Sequence, residues 1–436
     1  MLFKEACDIV LENLEKEWKK AGEADRLERL ESEKRAIMGF EEDMDIFKQK
    51  IDAIVKDKGL ENAECPAWYR SVPEGIFNEL YGLSGLAPWV YDETEEYRNS
   101  SSAKLIGDRL YCLIDGVSVL QPQRISLERR EQLKRAFLMA TPRERLEDGF
   151  HEVYLKNGIR ITIFSGDRTK AGQDVMVFRK YVMRDLTFEG LAELGTIPED
   201  AIELFRLIIR MGMNVIFAGP VRSGKTTFLQ VWQKYENRKL EGLAIATDPE
   251  TDWAALMPDA PIMQLVADGR ELEEITKPLL RGDNDYILLE EMRDATAFNI
   301  ALEITSTGTR RSKATVHTGN ARELPFMMAE KIRTKYGGET GDIIRRIVTN
   351  FDLVFEFVQL ESDRSVKKLV GITQYYIDPE SNRPKTARLM EYDYENDRWI
   401  WHSFVSGKLL SNEKLHPMEM GRFREILRDL EEKSRC

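Results

Sequence analysis

One stretch, residues 214–229, constrains the fold more than any other part of the chain. It begins with the apolar run Val215–Ala218, continues with the spacing Gly-x4-Gly-Lys-Thr from Gly219 to Thr226, and ends in an apolar helical pattern. A buried strand, a glycine loop and a helix in that order are the setting of a phosphate-binding loop. Glycines let the backbone turn tightly, so that successive N–H groups face a phosphate chain at the helix N-terminus. The stretch therefore predicts a phosphate site at the end of a buried strand.

The same loop supplies candidate ligands. We expect Lys225 to reach the β- and γ-phosphates of a nucleotide, and the hydroxyl of Thr226 to ligate Mg²⁺. A chance glycine turn before a helix is the alternative, and it is disfavoured because spacing, residue types and context agree. The residues predicted to surround the nucleotide are Gly219, Pro220, Val221, Arg222, Ser223, Gly224, Lys225, Thr226 and Thr227.

Length and composition limit the class of protein. A chain of 436 residues suggests about two or three domains at roughly 150 residues each. We find no apolar run near the roughly 20 residues of a membrane span and no signal segment, so we expect a cytoplasmic protein. The net charge of −12 argues against a broad nucleic-acid-binding surface. Cys7, Cys65, Cys112 and Cys436 are scattered, which indicates neither a zinc ribbon nor a disulfide framework.

Changes of pattern divide the chain into four predicted parts. Residues 1–62 are dense in charge with apolar residues at helical spacing, and predict a helical appendage for packing or oligomer contacts; a partner-docking module is the weaker alternative. Residues 63–185 predict an α+β domain, with a hairpin turn at Asp115 and Gly116. Residues 186–360 alternate strands with helices, which predicts a mostly parallel sheet covered by helices. The remaining residues, 361–436, predict β segments and a final helix without assigned chemistry.

Acidic residues follow two of the predicted strands beyond the loop. The apolar strand at residues 286–289 runs into Glu290 and Glu291, at the carboxyl end where α/β sheets bind ligands. Either could hold the water shell of Mg²⁺ or orient the attacking water. Asp248 and Glu250 follow another strand and offer a carboxylate that activates water. Taken alone, a solvated strand end and an Asp-Pro turn explain these segments as well.

Four motifs in this order and spacing resemble the type II/type IV secretion ATPases. They are residues 219–227, residues 280–294, residues 307–308 and residues 316–321. The resemblance is closest to the tight-adherence pilus (CpaF-type) branch. It implies an α/β fold in which a RecA-like P-loop NTPase core is preceded by a smaller α+β domain and an N-terminal helical appendage. It also implies a hexameric ring that hydrolyses ATP with Mg²⁺ at the cytoplasmic face of the membrane. Inner-membrane platform or secretion-channel proteins are the implied partners of this secretion, pilus-assembly or conjugation machine.

The resemblance assigns roles residue by residue. Lys225 matches the Walker A lysine, and Thr226 and Glu291 match the magnesium-site hydroxyl and the Walker B glutamate. His317 matches the histidine box, which senses the γ-phosphate or steadies the adjacent loops. A histidine at a strand end is otherwise more often structural.

Two arginines before the loop are further candidates. Arg160 and Arg179 are candidate nucleotide-contacting residues of the N-terminal domain, because an arginine brought across a domain or subunit boundary stabilises charge on the transferred phosphoryl group. An exposed strand arginine is the equally open alternative for each.

Two departures from the family pattern leave the general base open. The family usually has Gly before the Walker B glutamate, where this chain has Glu290. The aspartate box commonly reads Glu-Asp-x-x-Glu, whereas residues 247–251 lack the first Glu and carry the last one a residue early. A shift by one residue on an extended strand turns a side chain to the other face. Glu250 is the preferred base and Glu290 the alternative. A nucleotide-binding ring scaffold or switch with little hydrolysis is the rival function; a nucleic-acid motor is disfavoured by charge, and no direct nucleic-acid partner is expected.

Overall fold

The computed structural model groups the chain into two compact units, Met1–Val182 and Met183–Cys436. The residues that it describes are 1–18, 23–92, 94–141, 144, 146–147, 149–170, 172–180, 186–247, 250–267, 269–279 and 282–435. The predictions made for Asp248, for residues 280–281 and for Cys436 lie outside these residues. The four-part division of the chain stays a prediction.

Helices begin the first unit, as the spacing of apolar residues predicts. Val10 and Leu14 pack with Phe47 and Ile51 in one buried apolar cluster. The helices are α1 (Phe3–Trp18), α2 (Glu23–Ile37), α3 (Glu41–Lys58), α4 (Val72–Leu80), α5 (Ala87–Val90), α6 (Glu95–Arg98) and α7 (Leu127–Ala140). Short 3-10 helices lie at Ser84–Leu86 and Gly166–Arg168.

A six-stranded sheet forms the rest of the first unit. Its strands are β1 (Ser102–Ile106), β2 (Arg109–Ile114), β3 (Val117–Arg124), β4 (Phe150–Tyr154), β5 (Arg160–Phe164) and β6 (Val175–Arg179). The order is β3-β2-β1-β6-β5-β4, and every neighbouring pair is antiparallel. The predicted hairpin is present, because Asp115 and Gly116 have φ of 46° and 79° and connect paired β2 and β3. Two positive φ angles in a two-residue loop match the right-handed twist of the flanking strands.

A nine-stranded sheet organises the second unit. Its strands are β7 (Val215–Ala218), β8 (Gly242–Ala246), β9 (Ile262–Val266), β10 (Tyr286–Met292), β11 (Lys313–Val316), β12 (Leu353–Gln359), β13 (Lys367–Ile377), β14 (Pro384–Asp393) and β15 (Arg398–Trp401). The order is β15-β14-β13-β12-β7-β11-β10-β8-β9. From β9 to β12 all neighbouring strands are parallel, and β13, β14 and β15 continue the sheet by antiparallel pairing.

This strand order confirms the predicted fold class. Strand β7, which leads into the glycine loop, lies between β11 and β12, and the acidic strand β10 lies on the far side of β11. That is the arrangement of a RecA-like P-loop core. Parallel strands with both faces covered are apolar throughout. In β7, Val215 and Phe217 belong to one buried cluster, whereas Ile216 and Ala218 belong to the other.

Helices cover both faces of the larger sheet. They are α8 (Phe188–Glu193), α9 (Ile202–Arg210), α10 (Lys225–Lys234), α11 (Trp253–Leu256), α12 (Gly269–Leu279), α13 (Ala295–Ser306), α14 (Leu324–Tyr336), α15 (Thr340–Asn350), α16 (Gly407–Leu410) and α17 (Pro417–Ser434), with 3-10 helices at Glu199–Ala201 and Ser411–Lys414. Helix α15 is absent from the sequence predictions. None of the helices in the described part of the chain has both the length and the apolar character that a membrane span requires.

Candidate functional site

The glycine loop leaves the buried strand β7 and enters α10, as the sequence predicts. Gly219 has a φ of 152°, and Gly224 has a φ of 91° directly before the first helical residue. A Cβ atom on Gly219 would lie 2.2 Å from the carbonyl oxygen of Phe357 and 2.7 Å from Oγ of Ser223. Only glycine fits this contact, because real Cβ atoms do not approach backbone oxygen so closely. The Ser223 hydroxyl donates to the carbonyl oxygen of Pro220 at 2.8 Å and closes the loop.

Lys225 is held inside the loop. Its side chain is buried, with 6% of the residue exposed, and Nζ donates to the carbonyl oxygens of Gly219 and Pro220, both at 2.8 Å. Nζ also lies 3.2 Å from Nδ1 of His317. Burial lowers the pKa of Lys225 to about 8, although the nearby carboxylates of Glu291 and Glu250 act in the opposite direction. The lysine, the Walker B glutamate and the preferred base are therefore electrostatic neighbours.

His317 connects Lys225 to Glu291. An ammonium group only donates hydrogen bonds, so Nδ1 of His317 accepts from Lys225. The proton of the neutral ring then lies on Nε2, which is 2.8 Å from Oε1 of Glu291. This contact follows from the strand order, because β11 lies between β7 and β10 and His317 directly follows β11. The structure thus brings together three residues that are widely separated in the sequence.

Glu291 is held in its ionised form. Burial raises its pKa, but hydrogen bonds from His317 and Arg293 outweigh burial and bring the pKa down to about 2. Nη2 of Arg293 lies 2.5 Å from Oε2 of Glu291. The carboxylate oxygens of Glu291 are hard oxygen donors of the kind that Mg²⁺ prefers. The hydroxyl of Thr226, in the first turn of α10, is another. The oxygen donors of these two residues fit a magnesium ion, and the assignment of Thr226 and Glu291 as its ligands stays a prediction.

Glu290 points to a different set of partners from those of Glu291. Glu290 is 4% exposed, and its Oε1 accepts a hydrogen bond from the indole N–H of Trp253 at 2.6 Å. Its Oε2 accepts from the backbone N–H of Glu250 at 3.1 Å. Burial raises the pKa of Glu290 to about 7, against the hydrogen bonds from Trp253 and from the backbone. Glu290 is therefore a buried hydrogen-bond acceptor that contacts residues 250–253, the segment that carries Glu250.

Two glutamines hold the same segment from other elements. Gln230, on α10, donates through Nε2 to Oγ1 of Thr251 at 2.9 Å. Gln264, on β9, donates through Nε2 to the carbonyl oxygen of Thr251 at 2.7 Å. The sequence did not predict these residues or Trp253. Arg293 had a signal, since it follows Glu291 closely, but its ion pair with Glu291 was not predicted.

Arg160 and Arg179 belong to the first unit. They lie directly opposite each other on the antiparallel strands β5 and β6. Arg160 is buried, and its Nη1 lies 3.6 Å from Oε1 of Glu152. Arg179 is half-buried. Two guanidinium groups on one sheet face concentrate positive charge, and their contact with nucleotide stays a prediction.

The loop, the strand order and the ionised carboxylate at the end of β10 define the second unit as a P-loop nucleoside triphosphatase core. Comparison with known families gives a more specific result. Residues 169–335 match the family described as Type II/IV secretion system protein. These residues are a domain of that family, which confirms the resemblance; the tight-adherence branch stays a prediction.

Individual relatives are distant. The chain is 27% identical over 195 residues to the type IV secretion system protein VirB11 of Bartonella quintana, covering 42% of this chain and 52% of VirB11. It spans about half the length of the curated relatives that it matches. Among solved structures, the ATPase DotB of Legionella pneumophila is 15% identical with a TM-score of 0.47, over 80% of this chain and 88% of DotB. The pilus retraction motor PilT with bound ADP is 16% identical with a TM-score of 0.47, over 77% of this chain and 88% of PilT.

Proposed function

We propose that this chain is an ATP-hydrolysing motor subunit of a membrane-embedded type II/type IV secretion, pilus-assembly or conjugation machine. The single observation that carries the proposal is the chain of contacts from Lys225 through His317 to Glu291. It joins the phosphate-binding loop to the ionised acidic strand end. A loop that only bound phosphate would need no such connection to a carboxylate.

In this proposal the loop N–H groups and Lys225 bind the β- and γ-phosphates, and preorganised positive charge stabilises the transferred phosphoryl group. Thr226 and Glu291 would hold Mg²⁺, which when bound would neutralise charge on the phosphates. Glu250 accepts the proton of the attacking water. The Glu250 carboxylate is near enough to Lys225 to act on the pKa of that lysine, and this proximity supports the assignment. Arg160 and Arg179 stabilise negative charge on the nucleotide.

His317 has a defined task in this scheme. As a neutral ring it accepts from Lys225 and donates to Glu291, so a change at the phosphates that moves Lys225 also acts on the carboxylate. In this proposal His317 therefore senses the γ-phosphate or steadies the adjacent loops. The ring nitrogen that carries the proton follows from the ammonium of Lys225, which cannot accept.

We further propose that the subunits form a hexameric ring at the cytoplasmic face of the membrane, bound to inner-membrane platform or secretion-channel proteins. The family match over residues 169–335 supports this. Closure around ATP and release after hydrolysis would move rigid domains and transmit work to the partner. No direct nucleic-acid contact is proposed.

A second candidate is a nucleotide-binding ring scaffold or switch with little hydrolysis. The observation that favours it is the buried carboxylate of Glu290, which binds the backbone of Glu250. If this bond holds the segment of Glu250 rigidly, the site would keep bound nucleotide without hydrolysing it.

The test is steady-state phosphate release with Mg·ATP at protein concentrations spanning assembly, beside Glu250→Gln and Glu291→Gln. The motor predicts turnover that rises with assembly and collapses in both variants. Nucleotide binding without turnover in any oligomeric state would favour the scaffold and contradict the motor.

A further inference from the structure

Glu290 is a buried carboxylate to which the proposed chemistry gives no task. Both of its oxygens accept from N–H groups of one segment: Oε1 from the indole of Trp253 at 2.6 Å and Oε2 from the backbone of Glu250 at 3.1 Å. A carboxylate offers two acceptors, whereas a side-chain amide offers one acceptor and one donor group. A carboxylate at position 290 therefore matches both N–H groups of this segment, whereas a side-chain amide would turn its N–H₂ group toward one of them.

Two adjacent residues at the end of β10 contact different parts of the site. Glu291 accepts from His317, and Glu290 accepts from the segment of Glu250. The backbone carbonyl of Glu290 also accepts from the hydroxyl of Thr315, on the strand that leads into His317. One short stretch of backbone thus fixes the position of the Walker B carboxylate and of the segment that carries the preferred base.

The segment is held at further points. Thr251 accepts from Gln230 on the phosphate-loop helix at 2.9 Å, and its carbonyl accepts from Gln264 on β9 at 2.7 Å. Trp253 is fully buried in the core beneath the sheet. Of these partners, Glu290 is the one that binds the backbone of Glu250 itself. The direction of the Glu250 side chain depends on that bond, because the amide nitrogen and Cβ of Glu250 are bonded to the same Cα atom.

We infer that Glu290 is a positioning residue for the proposed hydrolysis: the indole N–H of Trp253 holds its carboxylate in place, and its bond to the backbone N–H of Glu250 fixes that backbone and thereby aims the Glu250 carboxylate. The inference rests on the proposed function for its catalytic part and on the two hydrogen bonds for its structural part. A misplacement of about 1 Å in a reacting group costs on the order of 10²-fold in rate. Glu290→Gln keeps size and shape but cannot accept from both N–H groups.

The structural part is tested without nucleotide. Amide hydrogen exchange is measured on peptides covering residues 250–253 in the wild-type protein, in Glu290→Gln and in the control Glu303→Gln. Glu303 is half-exposed on α13, with its Oε1 3.0 Å from Nη2 of Arg346. Loss of an intramolecular acceptor is expected to speed exchange at least about fivefold in Glu290→Gln and not in the control. Equal exchange in all three proteins would overturn the inference.

The catalytic part is tested by kinetics. Glu290→Gln is expected to lower kcat by about 10²-fold while the KM for Mg·ATP changes by less than about threefold. In the background of Glu250→Gln, the same substitution should have no further effect, because there is no base left to aim. A further loss of kcat in that double variant would indicate a general structural defect and overturn the inference.

Trp253→Phe provides an independent variant. It removes the indole N–H that binds Glu290, and it should reproduce the faster exchange and the loss of kcat. Trp232→Phe is the matched control for loss of a buried indole, since Trp232 packs in the same apolar cluster. Thermal unfolding of both variants separates folding from positioning. Wild-type protein without turnover in any oligomeric state would contradict the proposed function, and the exchange measurement would still decide whether Glu290 holds Glu250.

Discussion

Removal of the Glu236 carboxylate is expected to destabilise the second unit strongly. Glu236 lies just beyond the C-terminal end of α10 at Lys234, and its side chain is 1% exposed. Oε2 accepts from Nζ of Lys313 at 2.7 Å, and Oε1 accepts from Nη1 of Arg311 at 2.6 Å. Lys313 begins β11 and is equally buried, with its ammonium 4.6 Å from the ring centre of Tyr286. The network therefore ties the far end of the phosphate-loop helix to the strand that leads into the site.

The magnitude follows from the burial of the partner. Glu236→Gln leaves the ammonium of Lys313 inside the protein without its anionic partner, and beside the positive charge of Arg311. Breaking a buried ion pair by removing one partner costs about 3–5 kcal/mol. An exposed pair costs no more than about 1 kcal/mol. Glu203→Gln is the matched control, because Glu203 forms its ion pair with Arg210 at the surface.

The assay is urea-dependent hydrogen exchange of peptides from β11, which reports on the second unit alone. Glu236→Gln should lower the opening free energy by about 3–5 kcal/mol, and Glu203→Gln by less than about 1 kcal/mol. Adding Lys313→Met to Glu236→Gln should cost less than the sum of the single changes, because the stranded ammonium is then gone. A loss below about 1 kcal/mol in Glu236→Gln would show that the buried ion pairs of Glu236 do not stabilise the second unit.

Three further predictions concern pH, the loop and the metal. Burial raises the pKa of Glu236, but Lys313 and Arg311 outweigh burial and hold it below the ordinary value of 4.5. Its contribution to stability is present above pH 4.5 and is lost as the pH falls through the folded-state pKa, so acid unfolding curves of wild type and Glu236→Gln should converge at low pH; a difference that grows with acid would contradict this. Gly219→Ala should abolish measurable nucleotide binding in a fluorescent-analogue titration, because its Cβ would meet the carbonyl of Phe357 at 2.2 Å; Gly421→Ala, whose Cβ meets nothing within 4 Å, should bind normally. Thr226→Ala should raise the Mg²⁺ concentration for half-maximal turnover at least about tenfold, whereas Thr226→Ser, which keeps the hydroxyl, should leave that concentration near the wild-type value. Equal Mg²⁺ requirements in all three proteins would exclude Thr226 from the metal site.

Local patterns made the phosphate loop and much of the fold predictable. The loop is specified by residues within one short stretch, from Val215 to Thr226, and a hairpin turn such as that at Asp115 depends on two adjacent residues. The alternation of strands and helices then predicted a parallel sheet. Helix α15 was missed because glycines at 337, 338 and 341 interrupt the pattern around its start.

Long-range contacts were not predictable. The bond from Trp253 to Glu290 joins residues 37 positions apart and depends on the order in which β8 and β10 pair. The same holds for Gln230 and Gln264, whose amides are common surface groups in any sequence. Strands β14 and β15 were predicted as strands, but no local pattern says that they extend the sheet of β7. A strand's residues encode its two faces, whereas its neighbours depend on the whole chain.

The most direct test of the proposed ATP hydrolysis is phosphate release from Mg·ATP by assembled wild-type protein, by Lys225→Ala and by the exposed-lysine control Lys239→Ala. Lys225→Ala is expected to lose at least about 10²-fold in kcat, because it removes the cation that the loop and His317 hold where the phosphates are proposed to bind. Lys239→Ala should stay within about twofold of wild type, as surface substitutions do. Full activity in Lys225→Ala would contradict the assignment of this loop as the site of ATP hydrolysis.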